Sequence, residues 1–547
     1  MRKTLSILII LALLLNSSNS DGSSSSINSS WGYSASAKDY YKKAIELASV
    51  YPNLVKVEDL GETLNGNKLY AIVFTEGVDQ LTPQSYIDKT NVCVDGGIHA
   101  RETYSTYEVF KWLEERCLDY VNPNYSSAID SKELLGKCIF HLIPLANPDG
   151  FDLTKFGINI VVDANVKSFL LKYSSASKLK NSLKANLNLV DINRNFTDSY
   201  FNKSTGKWDT MLGKETTSNV SSVASVAYYG GSKQASEVET RVLESYFLKY
   251  NFKLYITYHS QGEVIYYDQF YLYNKTYDAI ALRYAKIAHK STGYTLMPEK
   301  ASDPTSSGYS SNFISNNTLR PCITLETTKS TTYPIPEKYY NTTHNKLIGA
   351  VDLMSLEASR EVWGEYKLYA NGLFVRDIWD KEYANALAGK YGYDLVTQTG
   401  KPSLLNVNYV KTALNSGMTL VGEKILIYEI DKPYMLLDGE VVQLDKSDFG
   451  VTPRKVEGVT LLPIRNLVES LGGEVEYKEG KFMATVGEEG VVYNTNDNSL
   501  FISDVLLSLH DSPVTVDGVM MFPLNLVLDC FDLQFLEEDN KLIFIKQ

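Results

Sequence analysis

The chain has 547 residues, a formal net charge of −12, and 44% hydrophobic against 22% charged residues. That balance excludes wholesale disorder and collagen-like structure, and the acidity argues against nucleic-acid binding, which needs basic clusters to neutralise phosphates. Five cysteines exclude a disulfide-dense scaffold, and their odd number leaves at least one thiol unpaired. At ~150 residues per domain the length allows roughly three to four domains. Histidine is scarce, six in all, so each one is weighed separately.

The N-terminus reads as an address. Arg2 and Lys3 precede an apolar run from Leu5 to Leu15, and Asn16-Ser17-Ser18-Asn19-Ser20 follows. A basic start, a short apolar core and small residues predict a secretory signal peptide over residues 1–20. The run is shorter than the ~20 residues that span a membrane, and no second long apolar run follows. The expectation is a secreted or extracellular protein without stable membrane insertion. Residues 21–36 are serine-rich and read as a flexible linker. No long prodomain is expected before the first folded region.

From Ala37 the texture is α/β. Helical spacing covers 37–51, 103–120 and 236–250. Buried strands are expected at 68–75, 91–95, 137–145 and 253–258. The third is closed by the turn signal Asn147-Pro148-Asp149-Gly150. Strands alternating with helices predict an α/β fold with a mixed, largely parallel sheet flanked by helices. Such sheets bind ligands at the carboxyl ends of strands, near a topological switch point. Residues 359–430 mix helical and extended signals and read as a connector of uncertain structure. From about 431 to 547 a repeat appears. Pro453-x-x-Val456-Glu457-Gly458-Val459 matches Pro513-x-x-Val516-Asp517-Gly518-Val519, and Pro463 matches Pro523 in the same register. Two such units are expected to pack as one small α+β domain, since one alone could not bury its apolar face.

The strand ending at Asp95 runs into Gly96-Gly97-Ile98-His99-Ala100-Arg101-Glu102. His99 and Glu102 are three apart, which places both on one face of a turn. The strand 253–258 ends in His259. Two imidazoles and a carboxylate at strand ends match the ligand set of an open zinc site, whose fourth position takes water or substrate. Zinc there would lower the pKa of water toward ~7 and polarise a carbonyl. Glu326, after the apolar stretch 322–325, is suited to take the water's proton and return it to a leaving amine. Asn193 and Arg194, within Asp191-Ile192-Asn193-Arg194-Asn195-Phe196, could grip a carboxylate through the guanidinium fork. Taken singly, Glu326 and Arg194 read as solvated surface groups.

In this order the motifs resemble the zinc carboxypeptidase family, the carboxypeptidase A/B-like metallopeptidases, over about residues 37–358. The resemblance implies a metallocarboxypeptidase with one zinc per chain, held by His99, Glu102 and His259, and Glu326 as general base and acid. It implies Arg194 with Asn193 at the substrate's terminal carboxylate, and Arg101 along the subsites. Two positions depart from the pattern. The family's oxyanion arginine is missing between Gly150 and Asn193; Lys184 is the nearest cation and brings charge without the planar fork. Tyr309 lies near the place of the mobile-loop tyrosine without aligning cleanly. Ser310 and Ser311, near the expected specificity pocket, carry no charge.

Lys184-Ala185-Asn186 and the segment from His259 to Tyr266 are similar to the bacterial branch that includes γ-D-glutamyl-diamino-acid peptidases of cell-wall peptides. Arg194, absent from some of that branch, favours substrates with a free terminal carboxylate. The repeat resembles the copper amine oxidase N-terminal-like module of secreted bacterial proteins, carried by Leu462-Pro463-Ile464-Arg465 and Phe522-Pro523-Leu524. Its single histidine, His510, and single cysteine, Cys530, make no copper site, so surface attachment or spacing is the expected role.

The leading expectation is a secreted zinc exopeptidase acting on peptides, and the place of action is outside the cell, with the cell wall as a further location. The alternatives are a γ-D-glutamyl cell-wall peptidase, or a catalytically weak binding protein displayed at the cell surface. His141 reads as a satisfied core histidine, His289 and His344 as solvated, and Cys322 as structural. No Gly-x-Ser-x-Gly occurs, which disfavours a nucleophile-elbow hydrolase.

Overall fold

The computed structural model describes residues 34–546, apart from 82–84, 123–128, 198, 203–204, 211–220, 268–274, 299–307, 331, 371–372, 404–423, 438–439, 445–450, 457, 488, 504, 508–511, 517, 532 and 539. The expected signal peptide, most of the linker and His510 lie outside the described residues.

Four strands come first: β1 (Val55–Glu62), β2 (Lys68–Phe74), β3 (Thr90–Asp95) and β4 (Cys138–Ile143). A small hairpin follows, β5 (Ser199–Asn202) with β6 (Lys207–Thr210), and then β7 (Phe252–Ser260), β8 (Val264–Tyr267), β9 (Thr295–Pro298) and β10 (Cys322–Thr327). All but the hairpin form one eight-stranded sheet in the order β1-β2-β4-β3-β7-β10-β8-β9. The centre β4-β3-β7-β10 is parallel and β1-β2 is antiparallel, as the mixed, largely parallel reading expects. β4 and β7 are buried along their whole length, because helices cover both faces. Val92, Val94, Leu254 and Ile256 point toward one helical layer, with Tyr104, Leu113 and Leu347. Cys93 and Tyr255, one residue out of phase, point toward the other, with Leu243, Phe247 and Phe313.

The chain order creates the switch point. β4 lies on one side of β3 and β7 on the other, so the connection leaving the carboxyl end of β3 runs toward β4 while the one leaving β7 runs the other way, toward β8. A crevice opens there.

Two local expectations need correction. Asn147-Pro148-Asp149-Gly150 is the start of a helix, Pro148–Phe156, and not a simple turn. Asn147 Oδ1 caps it by accepting from Gly150 N–H at 3.1 Å, and Pro148 sits in the first turn, where its missing N–H does no harm. His344 is not solvated: it is 3% exposed, its Nδ1 3.1 Å from Glu108 and its Nε2 3.1 Å from Glu115. Burial opposes its charge, but Glu108 and Glu115 outweigh burial and lift it to about 9. His141, by contrast, is a core histidine with Nδ1 2.9 Å from Tyr246 Oη, and His289 is exposed. All five cysteines are buried, and none is in a disulfide.

Part of the span 359–430 is ordered against the first sheet. β11 (Tyr366–Ala370), β12 (Leu373–Ile378) and β13 (Asp394–Thr397) form a three-stranded sheet with the helix Lys381–Tyr391. Its apolar residues Leu368, Ile378 and Tyr383 share a core with Tyr277 and Leu319. Asp377 is buried between Lys253 Nζ at 2.8 Å and Arg320 Nη2 at 2.7 Å. Burial would raise its carboxyl, but the two cations hold it far below the usual range.

The C-terminal strands are β14 (Lys424–Glu429), β15 (Tyr434–Leu437), β16 (Glu440–Gln443), β17 (Arg454–Val456), β18 (Val459–Pro463), β19 (Glu474–Lys478) and β20 (Lys481–Val486). A second set of seven succeeds them: β21 (Glu489–Asn494), β22 (Ser499–Ile502), β23 (Val505–Leu507), β24 (Val514–Val516), β25 (Val519–Pro523), β26 (Gln534–Glu538) and β27 (Lys541–Lys546). The helices Ile464–Ser470 and Leu524–Cys530 occupy matching places, 60 residues apart like the strands on either side. β18 pairs antiparallel with β25, and Leu462 faces Phe522, its own counterpart, across the pairing. That contact lies on a local two-fold axis. The first set's β14-β15-β16 completes the sheet of β26-β27, while β21-β22-β23 completes that of β19-β20. The two repeats thus exchange hairpins, and β14 places the start of this intertwined unit at Lys424.

Two outcomes follow from these contacts. The His344 pKa is raised on folding, so its contribution is whole below pH ~6.5 and fades as pH climbs to about 9. At ~1.4 kcal/mol per unit it amounts to about 3 kcal/mol at most. Urea-unfolding midpoints should show the wild-type advantage over His344→Gln shrinking across that window. In the C-terminal unit, residues 424–487 alone should stay unfolded by circular dichroism, and mixing with residues 488–547 should restore strand signal, because each sheet needs strands from both pieces.

Candidate metal centre and substrate cleft

β3 ends at Asp95, and the turn opened by Gly96-Gly97 leads into the helix Thr103–Val121. Gly97 has φ +68, and a Cβ there would stand 2.7 Å from Thr106 Oγ1 and 2.8 Å from Leu145 Cδ1. Glycine is therefore what lets the turn close against the helix. Ser105 fastens it, accepting from Gly97 N–H at 2.9 Å and donating to the Glu102 carbonyl at 2.6 Å. The turn brings His99 and Glu102 together over the carboxyl end of β3, and His259 arrives at the end of the neighbouring β7.

His99 Nδ1 lies 2.9 Å from Glu102 Oε1, and His259 Nδ1 lies 3.0 Å from Glu102 Oε2 and 3.1 Å from His99 Nδ1. All three side chains are buried and offer ligand atoms within 4.8 Å of one another. Two imidazole nitrogens at that separation cannot both aim lone pairs at each other unless a proton or a cation stands between them. On the far side of the ring, His99 Nε2 lies 3.4 Å from Asp191 Oδ1. A carboxylate behind a ligating histidine sets its tautomer and ring orientation. Burial would raise the Asp191 carboxyl, but His99 outweighs it, helped by Arg194 and Lys184, and holds it low. The donor set fits a divalent ion of the zinc type, with three protein ligands.

Glu326, near the end of β10, is the register partner of His259 on parallel β7. Burial pushes its carboxyl up, His259 pulls it down and Glu102 pushes it up again, leaving it at about 7. Its Oε2 is buried without a hydrogen-bond partner among the described residues.

A cavity of about 260 Å³ opens on this group, walled by His99, His259, Glu326, Lys184, Asn193, Arg194, Tyr309, Ser310 and Ser311 among others. Lys184 Nζ is 3.9 Å from Glu102 Oε1. The Arg194 guanidinium lies 4.0 Å over the Tyr309 ring, and its Nη1 donates to the Asn193 carbonyl at 2.7 Å. Asn193 Oδ1 accepts from Ser310 N–H at 2.9 Å, so its amide N–H is what it can offer a substrate. Gly308 makes the stack of Tyr309 on Arg194 feasible: at φ +77, a Cβ would lie 2.1 Å from the Arg194 carbonyl oxygen. Of the residues expected from sequence, the buried Glu102 is not itself part of this wall, and neither is Arg101. Arg101 stacks on Tyr333 at 4.3 Å, and its charge acts on Glu326. Sequence reasoning quoted Asp191 without giving it a role, and passed over Tyr228, Tyr333 and Gly308. Asp191 is distant from His99 along the chain, and nothing in either local pattern links them.

The zinc carboxypeptidase family matches residues 40–347, more than half the chain, and the chain belongs to that family. The copper amine oxidase N-terminal domain matches residues 436–545, within the intertwined unit. Among characterised relatives, the chain is 28% identical over 221 residues to carboxypeptidase B of Astacus astacus, covering 40% of this chain and 58% of that protein. It is 24% identical over 256 residues to the γ-D-glutamyl-L-diamino acid endopeptidase 1 of Lysinibacillus sphaericus, covering 46% and 57%. The chain thus spans little more than half the length of these curated relatives. Among solved structures, bovine thrombin-activatable fibrinolysis inhibitor in complex with tick carboxypeptidase inhibitor is similar with a TM-score of 0.43 at 21% identity, covering 59% of this chain and 96% of that one.

Replacing Asp191 by Asn removes the charge that orients His99. Zinc affinity, read by competition with a chromophoric chelator, should fall roughly 10- to 100-fold; unchanged affinity would break the link between the two residues.

Proposed function

We propose that this chain is a secreted metallocarboxypeptidase that removes C-terminal residues from peptides, with one zinc held by His99, Glu102 and His259. The observation that carries this reading is that His99 and His259, with Glu102 in ligand range of both, meet Glu326 and Arg194 at one cavity. Zinc, when bound, supplies Lewis acidity that polarises a carbonyl and acidifies water. The remaining chemistry belongs to the chain. Arg194 and the Asn193 amide N–H hold the terminal carboxylate, which admits chain ends and rejects internal bonds. Glu326, poised at about 7, accepts a proton from the attacking water and passes it to the leaving amine. Lys184, beside Glu102, holds positive charge near the scissile carbonyl oxygen. Asp191 keeps His99 oriented.

The basic and apolar N-terminal segment supports export, and the likeness of residues 436–545 to a module of secreted proteins supports contact with the cell surface. A second reading, hydrolysis of γ-D-glutamyl bonds in cell-wall peptides, draws support from the similarity to the Lysinibacillus endopeptidase. Digestion of muropeptides beside ordinary peptides separates the two.

Peptide-library digestion followed by mass spectrometry should show C-terminal trimming that a chelator abolishes. Glu326→Gln should retain zinc and lose about 10²- to 10⁴-fold in kcat. Full activity in that variant would end the general-base assignment.

A further inference from the structure

We infer that Tyr228 is a substrate-positioning residue: its ring is the shelf that sets the spacing between the two cations of the cleft, and with it the selectivity for a free C-terminal carboxylate. The inference rests on the carboxypeptidase reading. Tyr228 lines the same cavity as His99 and Glu326. The Arg194 guanidinium lies 5.6 Å from its ring centroid and Lys184 Nζ lies 5.5 Å from it. One aromatic ring thus attracts both positive groups, although the two repel each other.

The ring is held where it is by its backbone. Tyr228 has φ +69, a left-handed conformation that a bulky residue adopts only when its surroundings impose it. Its N–H donates to Asp191 Oδ2 at 3.0 Å, on the carboxylate whose other oxygen faces His99. Its carbonyl accepts from Ser221 N–H at 2.8 Å. On either side the strap is tied to the same loops: Lys184 N–H donates to the Val226 carbonyl at 2.7 Å, and Asp191 N–H to the Tyr229 carbonyl at 2.7 Å. Two residues on, Gly230 packs so closely that a Cβ would meet the Arg194 carbonyl oxygen at 2.6 Å. The strap therefore binds together the turn of Lys184, the turn of Arg194 and the carboxylate behind His99. Tyr228 is the side chain it projects into the cleft.

The test compares the zinc-loaded full chain with Tyr228→Leu, Tyr228→Gly and Tyr228→Phe on an N-acylated dipeptide with a free C-terminal carboxylate and on its C-terminal amide. Loss of the ring in the Leu and Gly variants should raise KM for the carboxylate substrate about three- to tenfold and narrow the carboxylate-over-amide ratio of kcat/KM by a similar factor, with zinc content unchanged. The Phe variant keeps the aromatic face and should restore the wild-type ratio. Glycine tolerates φ +69 without strain, so that variant decides the question should the Leu variant misfold. A wild-type ratio in the Gly variant, or a loss confined to melting temperature and zinc content, overturns the inference. A wild-type enzyme inert on both substrates overturns the carboxypeptidase reading instead, and a chelator-sensitive wild type with selectivity indifferent to Tyr228 leaves that reading standing.

Discussion

Two imidazole nitrogens and a carboxylate are crowded into a buried space at the centre of the main sheet, and that crowding constrains the rest of the molecule. The His99 and His259 Nδ1 atoms are 3.1 Å apart, with Glu102 bridging them. Buried polar groups at that distance repel unless their lone pairs meet a proton or a cation. Such an arrangement survives only if the backbone is rigid, and the parallel centre of the sheet provides that. β3 from Asn91 onward and all of β7 are buried and adjacent, so the ends that present His99 and His259 cannot drift apart without breaking the core.

The surroundings do two further tasks. Asp191 ties the metal centre to the substrate cleft, with one carboxylate oxygen toward His99 and the other on the Tyr228 backbone. The candidate ligand His99 and the wall of the cleft are thereby joined through one buried side chain. Glycines at 97, 230 and 308 allow close approach at the three turns where the backbone must pack against a ligand-bearing or substrate-facing loop. Lys184 takes the place nearest the ligands, and an ammonium gives a compact charge where an arginine would give a fork.

The C-terminal unit follows a different rule. Its repeats are similar in sequence, yet neither contains a complete sheet. Hairpin exchange about the Leu462–Phe522 contact makes the pair one folding unit. The ordered part of the connector, by contrast, belongs to the first domain, since Asp377 is buried against Lys253 and Arg320. What reads along the chain as a featureless link is therefore a patch on the catalytic sheet. Its polar anchor was unreadable because the three partners come from separate segments.

Local sequence was enough for the alternation of strands and helices, the strand ends that carry His99, His259 and Glu326, and the 60-residue repeat. These depend on short-range patterning, in which hydrophobic period and turn chemistry act over a few residues. It also pointed to His99, Glu102 and His259, whose ligand atoms the fold brings within 4.8 Å of one another, because few side chain types bind zinc. Only the folded chain decided that Asp191 stands behind His99, that the Tyr228 ring meets both Lys184 and Arg194, and that His344 is buried between two carboxylates. Each of those is a contact between segments far apart in the chain, set by sheet order and by which strand passes on which side of β3. The physical reason is that periodicity reports which face of an element is buried. What that face meets depends on chain crossings that no local pattern encodes.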